Sequence, residues 1–538
     1  MKEELYILHG SRTGNSRAAA LLAGDYAEHL GIKSRVESMQ EFTPKKLERS
    51  KNLLIAVSTH GEGDPPFQAE TFYNYLNSSG VSGLTDKHFS VLALGDSSYK
   101  HFCKTGKDIA SRMKELGAKA VYPLVECDID FEDGARKWVR EAVDQFGLKI
   151  HPDTEKGKNN KNFAFELRLG DSDDAYFKAA VLEKRLLTGE SSTKRIYNLQ
   201  LDLENSNIEF RSGDSIGILC GNSRLLVDRI IRELDYDPTH PVEIKGKKML
   251  LKHALINEFE LTVITPLVVK QYAGHSANQD LVRLMQNKSA FDRYVGTSDI
   301  YDLIADFPGK ISPEEFVSIL RKLTPRLYSV ASSEIVTKNR VDLAVGIIEY
   351  TEGGREHIGV GSSFIAERLD AGVKIPVVAE PNENFRLPED VEKPVIMIGT
   401  GTGISPFRAF LQERSLTSGA GNWLFFGERS SATDFLYKED FLNFRKNGVL
   451  TRMNTAFSRD QKRRIYVQDL ILQHSSEFAR WISEGAYIYL CGNKRTMARD
   501  VRKTLLEVFR KEGDMNTEQS LAYFEELKRE KRFREDVY

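Results

Sequence analysis

Two short turns rich in small residues stand far apart in the chain, and both have the composition of a phosphate-binding turn. Each follows an apolar run and precedes a helical pattern, so free backbone N–H groups and the positive helix end would face an anion. The two turns are Ser11-Arg12-Thr13-Gly14-Asn15-Ser16 and Gly399-Thr400-Gly401-Thr402-Gly403-Ile404-Ser405. One such turn suits almost any phosphate, whereas two different turns predict two nucleotide-like ligands and a protein that passes something between them.

Two further loops in the first third of the chain follow apolar runs in the same way. They are Ser58-Thr59-His60-Gly61, and Leu94-Gly95-Asp96-Ser97-Ser98-Tyr99 with Phe102 and Cys103 just beyond. Their glycines permit close backbone approach to a ligand, and Tyr99 offers a flat stacking surface. The first turn lacks the Gly-Lys-Ser/Thr of a P-loop, which disfavours an NTPase. Taken alone, that turn is equally compatible with an ordinary helix N-cap.

The middle of the chain contributes a third group of candidate residues. A strand period of two places Arg326 and Tyr328 on one face and Leu327 on the other. That face could hold a pyrophosphate and a stacked ring, with the Ser329 hydroxyl near a ring nitrogen. The helix start Gly359-Val360-Gly361-Ser362 predicts a further anion site. The alternative for Tyr328 is a tyrosine of the strand core.

A polar cluster follows a strand near the carboxy terminus. A hydroxyl, two guanidinium groups, a phenol and an amide lie close together in the sequence, and this combination suits a 2′-phosphate. The cluster consists of Ser458, Arg459, Arg464, Tyr466 and Gln468. It favours NADPH over NADH, and the alternative is a solvated basic turn.

Alternating strands and helices must position these loops. Residues 1–148 predict a doubly wound parallel sheet, whose ligand lies beyond the carboxyl ends of its strands. The predicted strands are 5–8, 53–58, 89–94 and 120–125, and the predicted helices are 18–30, 69–77, 106–116 and 131–146. A polar segment at 149–162, rich in Lys and Asn from position 151 onward, predicts an exposed linker.

The rest of the chain predicts two more domains. Residues 163–385 predict a β-barrel-like domain with a mainly helical insertion at about 221–322, and residues 386–538 predict a second α/β domain. The predicted strands are 163–169, 176–185, 195–202, 326–331 and 341–350, followed by 395–398, 422–427, 450–457 and 486–490. We find no internal repeat.

Composition restricts the class of protein. The 538 residues carry a net charge of -2, which gives no strong attraction to nucleic acid or to an anionic membrane. The four cysteines show no CxxC spacing, so no metal or iron–sulfur site is expected, and a reducing compartment is predicted. With no signal-peptide pattern and no apolar run of membrane-spanning length, the predicted location is the cytoplasm.

The loops of the first region, taken in order, resemble those of the flavodoxins. In that family the FMN phosphate occupies the first loop, and the ring lies between the other two. The resemblance implies FMN contacts from residues 11–16, 58–61, 94–99, 102 and 103. His60 would either contact the ring or face solvent, and we favour solvent.

The middle and last regions resemble the ferredoxin–NADP reductase superfamily through the Arg-x-Tyr-Ser and Gly-x-x-Ser elements. The implied FAD contacts are Arg326, Leu327, Tyr328, Ser329, Ala344, Val345, Gly346, Tyr350 and residues 359–362, with Thr262 of the insertion nearby. Thr402 and Asp500 are further predicted cofactor-binding residues. The implied catalytic residues are Ser329, Cys491, Asp536 and Tyr538. In this resemblance Cys491 lies near the nicotinamide, and Asp536 lies near Ser329 and Cys491. The Tyr538 ring stacks on the FAD ring.

The whole chain therefore resembles the diflavin reductases and, among them, the flavoprotein subunits of NADPH–sulfite reductases. The matching stretches include residues 384–388, 394–414, 448–468 and 536–538. This resemblance implies electron flow from NADPH through FAD and FMN to a one-electron acceptor, with the sulfite reductase haemoprotein as the expected partner. The linker would let the FMN domain swing between FAD and this acceptor.

Two alternatives to this interpretation remain open. One is a reductase for a cytochrome P450 or another haem protein, and the other is a flavodoxin-like binding protein with an inactive reductase half. Sulfite reductase subunits of this type usually carry an amino-terminal extension linked to assembly, whereas this chain begins at the first predicted strand. We therefore make no prediction of the oligomeric state.

Overall fold

The computed structural model describes residues 4–11, 14–59, 63–78, 81, 83–99, 101–150, 163–165, 167, 176–244, 246–417 and 419–538. Arg12, Thr13, His60, Gly61 and the linker at 151–162 lie outside the described residues. The chain divides into two compact units, of which the first comprises Met1–Ala175 with Arg224–Lys322 and the second comprises Tyr176–Ser223 with Leu323–Tyr538.

The first unit begins with an alternation of strands and helices. The elements are β1 (Leu5–Gly10), α1 (Asn15–His29), β2 (Ser34–Ser38), α2 (Pro44–Arg49), β3 (Asn52–Ser58), α3 (Phe67–Asn77), β4 (His88–Leu94), α4 (Lys104–Glu115), β5 (Lys119–Ala120), β6 (Val125–Cys127) and α5 (Glu132–Ile150). The sheet has the order β2-β1-β3-β4-β5, with β6 beside β4, and every pair is parallel. The predicted doubly wound parallel sheet is confirmed.

Apolar side chains cover both faces of this sheet. Buried Trp138 of α5 and the alanines of α1 cover one face, while Phe72 and Met113 belong to the core on the other. The near-continuous burial of β1, β3 and β4 follows from these two cores, as expected for a parallel sheet covered by helices on both sides. The predicted strand at 120–125 is wrong in detail, because two short strands flank that segment instead.

The predicted strand at 163–169 is also wrong for its described residues, which form no strand. The rings of Phe163 and Phe165 lie 4.9 and 4.6 Å from the ring of Tyr26 on α1. The Arg140 guanidinium of α5 lies 4.4 Å from the centre of the Phe165 ring. Alternating apolar residues suit a strand, but they equally suit an extended segment that packs on a helical surface, and here the helices provide that surface.

Three antiparallel strands open the second unit. They are β7 (Phe177–Leu186), β8 (Ile196–Asp202) and β9 (Ser215–Ile218). The insertion that follows belongs to the first unit, and most of its elements are helices. Its elements are α6 (Arg224–Glu233), β10 (Pro241–Ile244), β11 (Lys247–Leu250), α7 (Leu251–Asn257), α8 (Pro266–Ser276), α9 (Gln279–Gln286), α10 (Lys288–Thr297), α11 (Ile300–Asp306) and α12 (Pro313–Ile319).

The second unit then completes its antiparallel sheet. The elements are β12 (Arg326–Ser329), α13 (Glu334–Thr337), β13 (Arg340–Gly346), β14 (Glu349–Glu352), β15 (Arg355–Ile358), α14 (Val360–Arg368) and β16 (Lys374–Glu380). The sheet order is β12-β9-β16-β7-β8-β13, which is an open path of six strands. An isolated bridge between Val330 and Leu343 joins the segments at its two ends. A closed barrel stays a prediction.

A parallel sheet of five strands ends the chain. Its elements are β17 (Val395–Thr400), a 3-10 turn (Gly401–Ile404), α15 (Ser405–Arg414), β18 (Asn422–Glu428), α16 (Lys438–Lys446), β19 (Arg452–Phe457), α17 (Val467–Gln473), α18 (Ser475–Ser483), β20 (Tyr487–Gly492), α19 (Arg499–Glu512), α20 (Thr517–Arg529) and β21 (Phe533–Val537). The strand order is β19-β18-β17-β20-β21. The edge strand β21 was not predicted, and it places the end of the chain beside β20.

All four cysteines are buried and carry free thiols. Within the part of the chain that the structure describes, no helix combines the length and the apolar character that crossing a membrane requires.

Candidate functional site

The first phosphate-type turn holds two buried hydroxyls that lack partners. The side-chain oxygens of Ser11 and Ser16 are buried, and neither has a hydrogen-bond partner among the described residues. The Ser11 amide donates to Gln68 Oε1 at 3.2 Å. Helix α1 begins just after Gly14, so its first N–H groups also face this turn. Buried hydroxyls usually have partners, and phosphate oxygens placed here would supply them. The turn therefore fits the phosphate of a mononucleotide.

The three loops of the first unit meet at one edge of the sheet. Because β1, β3 and β4 are adjacent and parallel, their carboxyl ends lie side by side. The Ser58 hydroxyl donates to the Gly10 carbonyl at 3.5 Å, and Thr59 Oγ1 accepts from the Thr105 amide at 3.1 Å. The second predicted loop thus contacts both the end of β1, just before the first turn, and the start of α4.

The third loop, residues 94–99, is shaped by two carboxylates. Asp96 Oδ1 accepts from the amide and the hydroxyl of Ser98 at 2.8 and 2.6 Å. Asp128 accepts from the amide of Ser97 at 2.9 Å and also from its hydroxyl. The Tyr99 ring is 46% exposed, so a large part of its surface is available for stacking.

The residues beneath the third loop differ in their exposure. Gly95 donates its amide to the Cys127 carbonyl at 3.0 Å, Leu94 is buried and Phe102 is half-buried. Cys103 is completely buried, and its thiol donates to the Ala93 carbonyl at 3.2 Å. Burial raises the pKa of this thiol to about 12. The Cys103 side chain therefore supports the loop from below.

The structure adds one residue to this site that sequence reasoning missed. Arg321, which follows α12, is 9% exposed, and its Nη2 lies 2.5 Å from Asp96 Oδ1. Its Nε lies 3.6 Å from Asp128 Oδ2. The guanidinium thus contacts both carboxylates that shape the third loop. Nothing in the local sequence around Arg321 indicates this contact, because its partners lie about 200 positions away in the chain.

In the second unit, a close backbone approach brings the middle candidates together. A Cβ atom at Gly361 would lie 2.6 Å from the Tyr328 hydroxyl and 3.2 Å from Arg326 Cγ, so only glycine permits this packing. The amino-terminal end of α14 therefore faces Arg326 and Tyr328, as a pyrophosphate with a stacked ring requires. Ser362 Oγ accepts from the Ile348 amide at 2.8 Å. Burial raises the pKa of Tyr328.

The remaining candidates of the middle region are placed less uniformly. Ala344 and Val345 of β13 are buried, whereas Gly346 at the end of that strand is half-buried. The Tyr350 ring stacks on the His357 ring with centres 4.9 Å apart. Thr262 lies in the first unit, and its amide and hydroxyl donate to Glu260 Oε1 at 2.8 and 2.7 Å. Leu327 is exposed on the face of β12 opposite Tyr328.

Four residues from three distant segments meet at the end of β20. Ser329 Oγ donates to Asp536 Oδ2 at 3.0 Å, and Asp536 pairs with Cys491 in the β20–β21 ladder. Cys491 is completely buried. Burial, and then the Asp536 charge, raise the pKa of its thiol well above the usual value. The Tyr538 amide donates to the Gly492 carbonyl at 3.1 Å, which places the final residue beside the same strand end.

The second phosphate-type turn packs directly on this group. A Cβ atom at Gly403 would lie 2.3 Å from the Cys491 carbonyl oxygen, so glycine is required there. The hydroxyls of Thr402 and Tyr538 lie 2.7 Å apart, within hydrogen-bonding distance, and the Tyr538 side chain is 61% exposed. The second phosphate-type turn, Cys491 and the Tyr538 side chain therefore lie together at the end of β20.

The basic candidates lie at the carboxyl end of β19 and at the start of α17. Ser458 donates its amide and its hydroxyl to the Glu428 carbonyl at 2.9 and 3.3 Å. Arg459, Arg464 and Tyr466 have exposed side chains, and Gln468 is half-buried. Asp500, in the first turn of α19, accepts from Arg499 Nε at 3.0 Å. The carboxyl edge of the sheet thus carries an exposed cationic patch.

Three protein-family models match successive ranges of the chain. The family model described as Flavodoxin matches residues 7–141, and the FAD binding domain matches residues 171–364. The model described as Oxidoreductase NAD-binding domain matches residues 397–503. These three ranges contain the three groups of candidate residues, apart from the chain's last positions.

Curated relatives match along the whole chain. A sulfite reductase (NADPH) flavoprotein alpha-component from Bacillus subtilis is 42% identical over 100% of this chain and 90% of its own length. The proteins of the same name from Mannheimia succiniciproducens and Serratia proteamaculans are 36% and 37% identical, each over 99% of this chain and 89% of their own length. Identity at this level over the full length shows the family. The chain belongs to the sulfite reductase (NADPH) flavoprotein alpha-component family.

Proposed function

We propose that this chain is a diflavin oxidoreductase that carries electrons from NADPH, through FAD and FMN, to a one-electron acceptor. The observation that carries the proposal is the Ser329–Asp536 hydrogen bond beside Cys491, at the turn that begins with Gly399. When bound, the flavins supply the redox chemistry, and the protein positions their rings and sets their electrostatic surroundings.

The residues that meet at the end of β20 in the second unit have roles that follow from their contacts. The Asp536 carboxylate orients the Ser329 hydroxyl, and this hydroxyl would hydrogen-bond to the ring edge of a bound FAD. Cys491 stays a neutral thiol because of its raised pKa, and so it adds no second negative charge next to Asp536. The Tyr538 hydroxyl lies 2.7 Å from the Thr402 hydroxyl, and the Tyr538 ring would cover the ring of a bound FAD. A nicotinamide on that turn would compete with this hydrogen bond.

In the first unit, Ser11 and Ser16 bind the FMN phosphate, and Tyr99 stacks on its ring. Ser58, Thr59 and residues 94–99 would line the two sides of a bound FMN ring. In the second unit, Arg326, Tyr328 and residues 359–362 bind FAD. Ser458, Arg459, Arg464, Tyr466 and Gln468 bind the 2′-phosphate of NADPH, which their charge and hydrogen-bonding groups favour.

The acceptor in this proposal is the haemoprotein partner of sulfite reductase. The names of the relatives support it, as does the chemistry, since NADPH delivers two electrons together and haem accepts one at a time. The domain bounds 1–148, 163–385 and 386–538, the barrel-like closure of the middle sheet and the cytoplasmic location are parts of the same proposal.

Flavin content and NADPH oxidation test the proposal. The purified protein, incubated with FMN and FAD and then desalted, is expected to retain one of each per chain. NADPH is then expected to reduce cytochrome c through it, and with a sulfite reductase haemoprotein added, sulfite should yield sulfide. A protein that retains one kind of flavin, or none, would contradict the proposal.

A matched pair of variants separates the proposed site from general effects on the fold. Ser329→Ala removes the hydroxyl that Asp536 orients, and we expect flavin reduction by NADPH to slow about 100-fold. Ser318→Ala, which removes an exposed hydroxyl bonded to the Glu315 carbonyl in α12, is the control. Equal rates in the two variants would exclude the proposed role of Ser329.

A further inference from the structure

A second side chain contacts the Asp536 carboxylate. Asn382, just beyond the end of β16, is 8% exposed, and its Nδ2 donates to Asp536 Oδ1 at 3.4 Å. Ser329 Oγ donates to the other oxygen at 3.0 Å. The two carboxylate oxygens thus have separate donors, and this restricts rotation of the carboxylate about its Cβ–Cγ bond. Hydrogen bonds to an ionised group are among the stronger ones in proteins.

One buried residue aligns the backbone of both donors. Asp214, which immediately precedes β9, accepts from the Asn382 amide through Oδ1 at 2.6 Å. Its main-chain carbonyl accepts from the amide of Val330, the residue after Ser329, at 2.9 Å. The next residue, Ser215, pairs with Ser329 on β12 and with Glu380 on β16. Asp214 therefore connects the two strand ends that carry the donors.

The charge of Asp214 is matched by a neighbour that also positions β21. Arg386 Nη2 lies 2.6 Å from Asp214 Oδ1, and the Arg211 amide donates to Oδ2 at 2.7 Å. The Arg386 carbonyl accepts from Tyr489 Oη at 2.6 Å and from Arg534 Nη1 at 2.8 Å. Arg534 lies two residues before Asp536 on β21. The same group of contacts therefore aligns both the donors and the strand that carries the acceptor.

We propose that Asn382 is a positioning residue for the Asp536 carboxylate, aligned by buried Asp214 and its ion-pair partner, the half-buried Arg386. This inference rests on the proposed function, because it deepens the role given there to Ser329 and Asp536. Asn382 supplies a neutral donor, so it orients the carboxylate without cancelling its charge. Ser329 at the end of β12 and Asn382 just beyond β16 therefore act together to hold one orientation of the Asp536 carboxylate.

Asn382→Ala tests the inference with little risk to the fold, since the amide that bonds to Asp214 remains. In stopped-flow experiments on the full chain, we expect the rate of flavin reduction by NADPH to fall about 10-fold. The dissociation constant of NADP⁺, measured by spectral titration, should stay within about twofold of that of the unsubstituted protein. The control is Asn422→Ala, which removes another buried amide that donates to a carbonyl, that of Val449. Its rate should match the unsubstituted protein.

A second substitution and a structural readout sharpen the test. Asn382→Asp places a like charge beside Asp536, and we expect a larger loss of rate, about 100-fold. Hydrogen–deuterium exchange of the peptide covering residues 533–538 should be faster in Asn382→Ala than in Asn422→Ala. A rate equal to the control's, or an Asn382→Asp variant that is no slower than Asn382→Ala, would overturn the positioning role.

Failure of the inference differs from failure of the proposed function. If NADPH does not reduce the unsubstituted, flavin-loaded protein, the proposed function is wrong and the inference is wrong with it. If that protein is reduced normally and the Asn382 variants behave like the control, only the inference is overturned.

Discussion

Two predicted phosphate sites of this chain, the first turn at residues 11–16 and the last region around Arg459 and Arg464, differ in the groups that they present. At the first turn, the described side chains are buried hydroxyls of Ser11 and Ser16, without partners among the described residues. At the last region, exposed Arg459 and Arg464 provide charge. Burying a cation is costly, whereas buried hydroxyls and helix N–H groups bind a phosphate at a lower desolvation cost. The first arrangement suits a ligand that stays bound, and the second suits one that exchanges with solvent.

The largest expected effect concerns the exposed cations. Replacing both Arg459 and Arg464 by Ala should lower kcat/KM for NADPH about 100-fold and leave that for NADH nearly unchanged, because only NADPH carries the 2′-phosphate. Steady-state kinetics with both nucleotides measure the ratio of kcat/KM for NADPH to that for NADH. Arg445→Ala, at an exposed position of α16, is the control. A parallel loss with NADH would show that these arginines do not discriminate between the two.

The next effect tests the buried hydroxyls of the first turn. Ser16→Ala should weaken FMN binding about 10-fold and yet stabilise the FMN-free protein by about 1 kcal/mol, because it removes a buried hydroxyl that has no hydrogen-bond partner among the described residues. Ser50→Ala is the matched control, since that buried hydroxyl donates to the Leu47 carbonyl at 3.0 Å. Its FMN-free form should be destabilised. Urea unfolding and FMN titration give both quantities, and two FMN-free variants that change in the same direction would refute the contrast.

The first unit and the second unit are alike in having a buried thiol near the candidate site, Cys103 before α4 in the first and Cys491 on β20 in the second. Burial raises the pKa of Cys103 to about 12, so above pH 9 its thiol ionises in the unfolded chain while it stays neutral in the folded one. Its contribution to the free energy of unfolding is constant below pH 9. Above that pH it falls by about 1.4 kcal/mol per pH unit, until the folded pKa is reached.

Urea unfolding between pH 8 and 10 measures this decline. Cys103→Ala should show a shallower decline than the unsubstituted protein by about that amount per pH unit. Identical pH dependence of the two proteins would mean that the Cys103 thiol ionises as readily in the folded protein as in the unfolded chain.

The smallest effect is the response to salt. Raising the ionic strength from about 0.05 to 0.5 M should raise the KM for NADPH about threefold, because exposed charges are screened. FMN binding at the first turn should change less, since neutral groups dominate there among the described residues. Fluorescence titration of FMN and NADPH kinetics at the same salt concentrations compare the two. Equal salt dependence would remove the contrast between the regions.

The sequence by itself determined the local features of this protein. Apolar periodicity predicted the parallel sheet of the first region, and the small-residue turns predicted where its strands end, because both are encoded within a few consecutive residues. The Arg-x-Tyr-Ser segment predicted which face of β12 carries Arg326 and Tyr328. The family resemblance supplied the predicted roles of Cys491, Asp536 and Tyr538. The local sequence alone is equally compatible with an ordinary buried cysteine and an ordinary frayed chain end.

Only the tertiary structure decided the contacts between distant segments. The Arg321 contact with Asp96, the packing of Phe163 on α1 and the Asn382 contact with Asp536 each join positions with no common local pattern. A guanidinium, an aromatic ring and an amide each suit many partners, so their types alone do not select one. The folded backbone selects it, because strand order and register decide which side chains come within hydrogen-bonding distance.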